Sequence, residues 1–327
     1  MNKKYKNIFF VFGVVVLAFM VSQLNFAEVW RGLQHAGYWF LAVVFLWIFL
    51  YFLNTAAWWI IIKSNKEKTD KRISFAHLYR LTVTGFALNY ATPGGLMGGE
   101  PYRIMSLSPY IGTVRATSSV ILYAMTHIFS HFWFWLLSIF LFFITQKVTF
   151  LIALMLVAIG FFCLLGIWFF LSGYKKGLAY RTMNVVRHIP FVGKKVNKFM
   201  EKHKEKLDDV DKQIAALHHQ SPIVFISALL LELTCRIVSS LEIYFVLLVI
   251  MPDPSFITCI LILAFTSFFA NLLFFIPLQM GGREGGFVLS ATGLALTAGT
   301  GIFVALIVRI RELIWVAIGL LLIKLDK

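Results

Sequence analysis

The sequence predicts an all-α polytopic membrane protein with about six full spans and two re-entrant, broken helical hairpins in an inverted repeat. Three observations predict it. The 327-residue chain is 60% hydrophobic and 17% aromatic, with mean hydropathy +0.82, where a soluble domain is usually about 45–50% apolar. Six stretches have about the 17–25 mostly apolar residues that a crossing needs. Two further apolar regions each carry a glycine-proline break. The first break runs from Asn89 through Pro93-Gly94-Gly95 and Gly98-Gly99-Glu100 to Arg103, and the second from Asn271 through Pro277 and Gly281-Gly282 to Arg283-Glu284.

In chain order, the six spans are 8–23, 37–62, 118–145, 148–171, 222–250 and 301–323, and the broken regions are 73–115 and 256–299. The N-terminus, with Lys3, Lys4 and Lys6 before an apolar run, resembles a signal peptide. No small-x-small cleavage site follows, so an uncleaved first span is expected. A polar loop, 173–221, separates a first membrane half, 1–172, from a second, 222–327. Its run from Lys194 to Leu217 has the pattern of an amphipathic helix. That helix serves either as a solvated connector or as a dock for anionic inner-leaflet lipids.

Basic residues set the orientation. Lys3, Lys4 and Lys6 precede the first span, and Lys63, Lys66, Lys68, Lys71 and Arg72 follow the second. The loop 173–221 holds eleven Lys or Arg against five Asp or Glu. All three segments are expected on the cytoplasmic side, with cytoplasmic N- and C-termini. Region 73–115 then starts and ends inside, and 256–299 starts and ends outside. Two hairpins entering from opposite faces are the mark of an inverted repeat. For the second, a pair of full crossings is the competing reading.

The net charge of +15 lies beside apolar spans, which points to topology and anionic lipid and not to nucleic acid. Cys163, Cys235 and Cys259 lie in apolar segments without a CxxC and read as small buried side chains. No P-loop, GxGxxG, HExxH or nucleophile elbow is present, and no cofactor is expected.

Broken main chain survives in hydrocarbon only where protein or a wet cavity surrounds it, and paired breaks mark transporter substrate sites. The first break therefore supplies Asn89, Pro93, Gly94, Gly95, Gly98, Gly99, Glu100 and Arg103 as candidate substrate-binding residues. The second supplies Asn271, Pro277, Gly281, Gly282, Arg283 and Glu284. Ionisable groups inside spans cost at least about 2.5 kcal/mol each at the bilayer centre. They add Glu232 and Arg236, four apart, and Arg309 and Glu312, three apart; each pair shares a helix face and is placed to pair. Arg311 and Glu242 are further charges within spans. Helix N-termini at the breaks, with Arg103, Arg283 or Arg309, suit a phosphate. Glu100 and Glu284 suit a headgroup amine or a coupling proton. His127 and His131 have a spacing that can hold a metal, but no third ligand presents itself, so they read as polar groups in a bundle and no metal is expected.

The run Pro93-Gly-Gly-Leu-Met-Gly-Gly-Glu-Pro-Tyr-Arg103 resembles the PGGxGGExxR signature of the lysylphosphatidylglycerol synthase transmembrane, or flippase-like, family. Pro277 to Glu284, with Arg309, resembles that family's second signature, with Leu278 and Gln279 where glycines often stand. The resemblance covers most of the chain. It implies a bacterial inner-membrane protein that moves a phospholipid between leaflets. The chain ends four residues after its last span, so the expectation is the membrane part without a synthase domain, and not an enzyme. A separate lipid-synthesising enzyme is then a possible partner, and a homo-oligomer stays open. Two alternatives remain beside the translocase. One is a membrane enzyme acting on a lipid-linked substrate through Glu100 and Glu284; the other is a scaffold for lipid-modifying enzymes.

Overall fold

A computed structural model describes residues 3–22, 25–64, 71–91, 98–176, 222–273 and 281–325, together with Glu201 and Glu205. Among the described residues, regular structure is all helical. The helices are α1 (Lys3–Ser22), α2 (Phe26–Ala36), α3 (Tyr38–Ser64), α4 (Phe75–Ala91), α5 (Gly99–Ile111), α6 (Thr113–Thr145), α7 (Phe150–Lys176), α8 (Pro222–Leu247), α9 (Phe256–Leu272), α10 (Gly282–Gly293) and α11 (Ala298–Leu325). The chain is a polytopic membrane protein. Apart from Glu201 and Glu205, the expected amphipathic helix between Lys194 and Leu217 lies outside the described residues.

Local chemistry sets the helix ends. Asn25 caps α2 by accepting the Ala27 N–H at 3.2 Å, and Ser255 caps α9 by accepting that of Thr258. Gly112, at φ 79°, ends α5 and begins α6 in one residue, a conformation that favours glycine. Pro101 sits in the first turn of α5, where its missing N–H has no helical partner to lose.

Four helices are long and apolar enough to cross a bilayer by themselves: α3, α6, α7 and α8. α1 and α2 meet that test only together, as a bent pair. α11 has 28 residues, about 42 Å at 1.5 Å per residue. It fails on composition because Arg309, Arg311 and Glu312 interrupt it. The count of six spans therefore rests on α11 spending those charges inside protein, and each of the three is paired there.

The two broken regions are hairpins of unequal arms. α4 and α9 have 17 residues each, while α5 has 13 and α10 has 12. At 1.5 Å per residue the short arms span about 18–20 Å, less than the ~30 Å hydrocarbon core. Length thus disfavours a pair of full crossings for 256–299 and supports the re-entrant reading.

The order long, short, short, long recurs. Helices α3 to α6 run 27, 17, 13 and 33 residues, and α8 to α11 run 26, 17, 12 and 28. Packing follows the same exchange. α3 packs on α8, α4 packs on α11, and α9 packs on α6. Trp47 meets Glu242 while Asn54, one heptad on, meets Cys235, one heptad back. α3 and α8 are therefore antiparallel. A two-fold that exchanges antiparallel helices lies across them, in the plane of the membrane they span, which is the geometry of an inverted repeat.

Close approaches of backbone hold the first hairpin. A Cβ on Gly99 would sit 2.1 Å from the Gly85 carbonyl oxygen, so α4 and α5 touch main chain to main chain. On the far side of α4, a Cβ on Gly319 would fall 2.5 Å from the Ala87 methyl, seating α11. The main apolar core, with Trp58, Leu78, Leu81, Tyr102, Val120 and Phe129, lies around this hairpin. A second core, with Ile243, Leu261, Phe287 and Ile307, serves its counterpart.

Candidate functional site

A cavity of about 330 Å³ lies where α3, α4, α6, α8, α9, α10 and α11 meet. Both halves of the repeat line it. Of the candidate substrate-binding residues, Asn89, Glu232, Arg236, Asn271, Arg283 and Glu312 are on its wall.

One wall joins α6 to α8. Glu232 and Arg236 share a face of α8, yet the expected ion pair between them does not form: each reaches across to α6 instead. His127 Nδ1 and Glu232 Oε2 are 2.7 Å apart. Arg236 donates through Nε to Ser130 Oγ at 2.5 Å and through Nη2 to the His127 carbonyl at 2.6 Å. His127 and Ser130 are three apart on α6, so one face receives both. Glu232 is 1% exposed, and its Oε1 has no partner. Asn54 of α3 accepts from the Tyr123 hydroxyl and donates to the Leu50 carbonyl.

The opposite wall joins α4, α10 and α11. Arg283 pairs with Glu312, which also accepts from the Tyr90 hydroxyl. Arg309 donates to the Tyr90 oxygen and pairs with Glu284. The expected Arg309–Glu312 pair is thus replaced by two pairs between helices, with Tyr90 bridging them. The reason is geometric: α10 and α4 bring partners to the face that Arg309 and Glu312 share. Behind them, Arg311 donates through Nε and Nη2 to the two carboxylate oxygens of Glu242, at 2.7 and 2.8 Å, and lies 3.8 Å from the Trp47 ring centre.

At the first break, Asn89 accepts the Gly99 N–H at 2.8 Å and donates to Glu100 Oε1 at 3.0 Å. It thereby caps α5 from the end of α4. Arg103 is 1% exposed. It lies 3.4 Å from Glu100, donates to the Thr82 carbonyl, and sits among the Trp58, Phe86 and Tyr123 rings. Gly98, Gly99, Glu100 and Arg103 therefore build the hairpin behind Asn89 and are not on the cavity wall. At the second break, Glu284 Oε2 accepts the Gly281 N–H at 2.9 Å, closing the first turn of α10 at Gly282. Asn271 instead donates to its own helix, at the Ser267 carbonyl. The two breaks are alike in sequence and capped differently. Pro93, Gly94, Gly95 and Pro277 lie outside the described residues.

Sequence reasoning left Tyr90, Trp47 and Asn54 out of the candidate set and gave Arg311 and Glu242 no place in it. The signal for Arg311 and Glu242 was their charge within a span. Trp47 and Asn54 lie in an otherwise apolar helix and gave none. His127, read from the sequence as a polar group in the bundle, is held by Glu232. Among the described residues no three His, Cys, Asp or Glu side chains are grouped to hold a metal ion.

Comparison with known proteins gives a family match over most of the chain. The model of the family described as lysylphosphatidylglycerol synthase TM region matches residues 8–319. A UPF0104 membrane protein of Methanothermobacter thermautotrophicus is 35% identical over 105 residues, 32% of this chain and 30% of that protein. The match thus spans under a third of the relative's length. No solved structure matches the chain.

Proposed function

The chain belongs to the family of lysylphosphatidylglycerol synthase transmembrane regions, and from that premise we propose that it carries a charged-headgroup phospholipid between leaflets of a bacterial inner membrane. The observation that supports this most is the placement of the cavity. It lies at the junction of two oppositely oriented halves: the second lines it with Glu232, Arg236, Arg283, Arg311 and Glu312, and the first adds the polar Asn54, Asn89, Tyr90, His127 and His131. A headgroup needs such a polar path, since a buried charge without partners is strongly disfavoured in hydrocarbon. Acyl chains can stay in lipid while the headgroup sits between Arg236 on one wall and Arg283 on the other. Rocking of one half against the other would open the cavity to each leaflet in turn.

The test is reconstitution in liposomes with a headgroup-labelled phospholipid. Chemically unchanged lipid should appear in the opposite leaflet, and Arg283→Ala should slow its arrival. Lipid recovered in altered chemical form would favour the enzyme reading. An Arg283→Ala protein that transports normally would refute the site. Glu100 and Glu284, the carboxylates an enzyme would use, are engaged in capping and pairing at separate hairpins.

A further inference from the structure

We propose that His127 and Glu232 form a proton-binding site linked to an anion site at Arg236, so that the cavity takes up a phosphate-bearing anion together with a proton. This rests on the lipid-carrying reading of the same cavity and adds its coupling ion.

The inference begins from the charges around the cavity. Arg283 is balanced by Glu312 and Arg311 by Glu242. Arg236 is different. Its hydrogen bonds go to a serine hydroxyl and a backbone carbonyl, both neutral. Among the described residues no carboxylate lies within 4.0 Å of it. Glu232, one turn away on α8, is the nearest in sequence.

That carboxylate is only half engaged. One oxygen contacts His127 at 2.7 Å, and the other is buried without a partner on the cavity wall. With His127 neutral and Glu232 ionised, Glu232 and Arg236 sum to zero. One proton added to the His127–Glu232 pair leaves a net +1, whichever atom holds it. In a wall of low dielectric that unit charge draws an anion strongly. The linkage is reciprocal: an anion at Arg236 raises the proton affinity of the pair by the same free energy.

Groups on the surrounding helices leave this arithmetic unchanged. From α6, Tyr123 and His131 face the pair, and His131 Nδ1 is itself without a partner. α8 adds the Cys235 thiol. α3 and α4 contribute the neutral Asn54 and Phe86. Arg103 of α5, beyond the Tyr123 ring, already has Glu100.

The deciding experiment needs no transport. Purified protein in weakly buffered detergent micelles near pH 6.5, about the usual histidine range, receives dioleoylphosphatidylglycerol while a dye follows pH. The native protein should take up protons, up to one per chain, because linkage makes anion binding raise the proton occupancy of the pair. Dioleoylphosphatidylcholine, with no net charge, should give much less. Glu232→Gln and His127→Gln, each checked for a monodisperse profile, should abolish the uptake. Inorganic phosphate tells the anion's source: uptake with phosphate but not with the lipid assigns the site to the free ion. No uptake by native protein with either anion overturns the proposal, as does equal uptake in folded Glu232→Gln. Absent lipid movement in liposomes, with proton uptake intact, would refute the transport reading while this linkage stands.

Discussion

Glu242 and Arg311 meet as a bidentate pair at 2.7 and 2.8 Å, both side chains at most 3% exposed, and Trp47 covers them from the other half of the repeat. Both ions have left water, so removing one leaves the other stranded. Glu242→Gln or Arg311→Met should each destabilise the protein by about 3–5 kcal/mol. The double variant should recover part of that loss. Thermal unfolding in detergent of the two single variants and the double checks it; additive losses would contradict it.

Asn89 connects the two arms of the first hairpin through Gly99 and Glu100. Asn89→Ala removes a helix cap and should cost about 1–2 kcal/mol. The effect should appear as faster proteolysis near the break.

The Gly85–Gly99 contact leaves no room for a methyl, and its neighbour there is main chain, which cannot rotate away. Gly99→Ala should exceed the usual ~1–3 kcal/mol of overpacking and reduce the yield of folded protein. Gly285→Ala is the control. Nothing lies within 4 Å of its added carbon, and α10 should gain up to about 1 kcal/mol from the better helix former. Fluorescence-detected size exclusion compares the two.

Arg283 and Glu312 face the cavity as a pair. Glu312→Gln and Arg283→Ala should each lower lipid transfer in liposomes by about tenfold or more, the factor that ~1.4 kcal/mol of lost interaction produces. Initial transfer rates at matched protein density provide the comparison.

Orientation has its own test. A membrane-impermeant maleimide applied to intact cells should label Gln146→Cys and leave Lys63→Cys untouched, as the basic segments require. The native cysteines are all buried and should give little background. The reverse pattern would invert the topology.

Much of this was legible in the chain. Hydropathy located α3, α6, α7 and α8, since an apolar run of sufficient length is a local property. The Gly98-Gly99 and Gly281-Gly282 pairs marked where a short helix begins. The ionisable positions stood out because charge is rare inside a span. Pairing was not legible. Spacing along α8 and α11 joined Glu232 to Arg236 and Arg309 to Glu312, and every one of those four found a different partner.

The sequence by itself determined a membrane-embedded helical chain with two interrupted hairpins and charges at defined depths, because helix breaking and apolar length are read over a few consecutive residues. Only the tertiary structure decided that Arg103 lies walled in by aromatic rings while Arg283 reaches the cavity. That choice depends on which faces meet when α3 packs antiparallel to α8 and α4 packs on α11, contacts between residues 195 to 235 positions apart along the chain. Over such separations no local pattern distinguishes a side chain that seals a hairpin from one that awaits a guest.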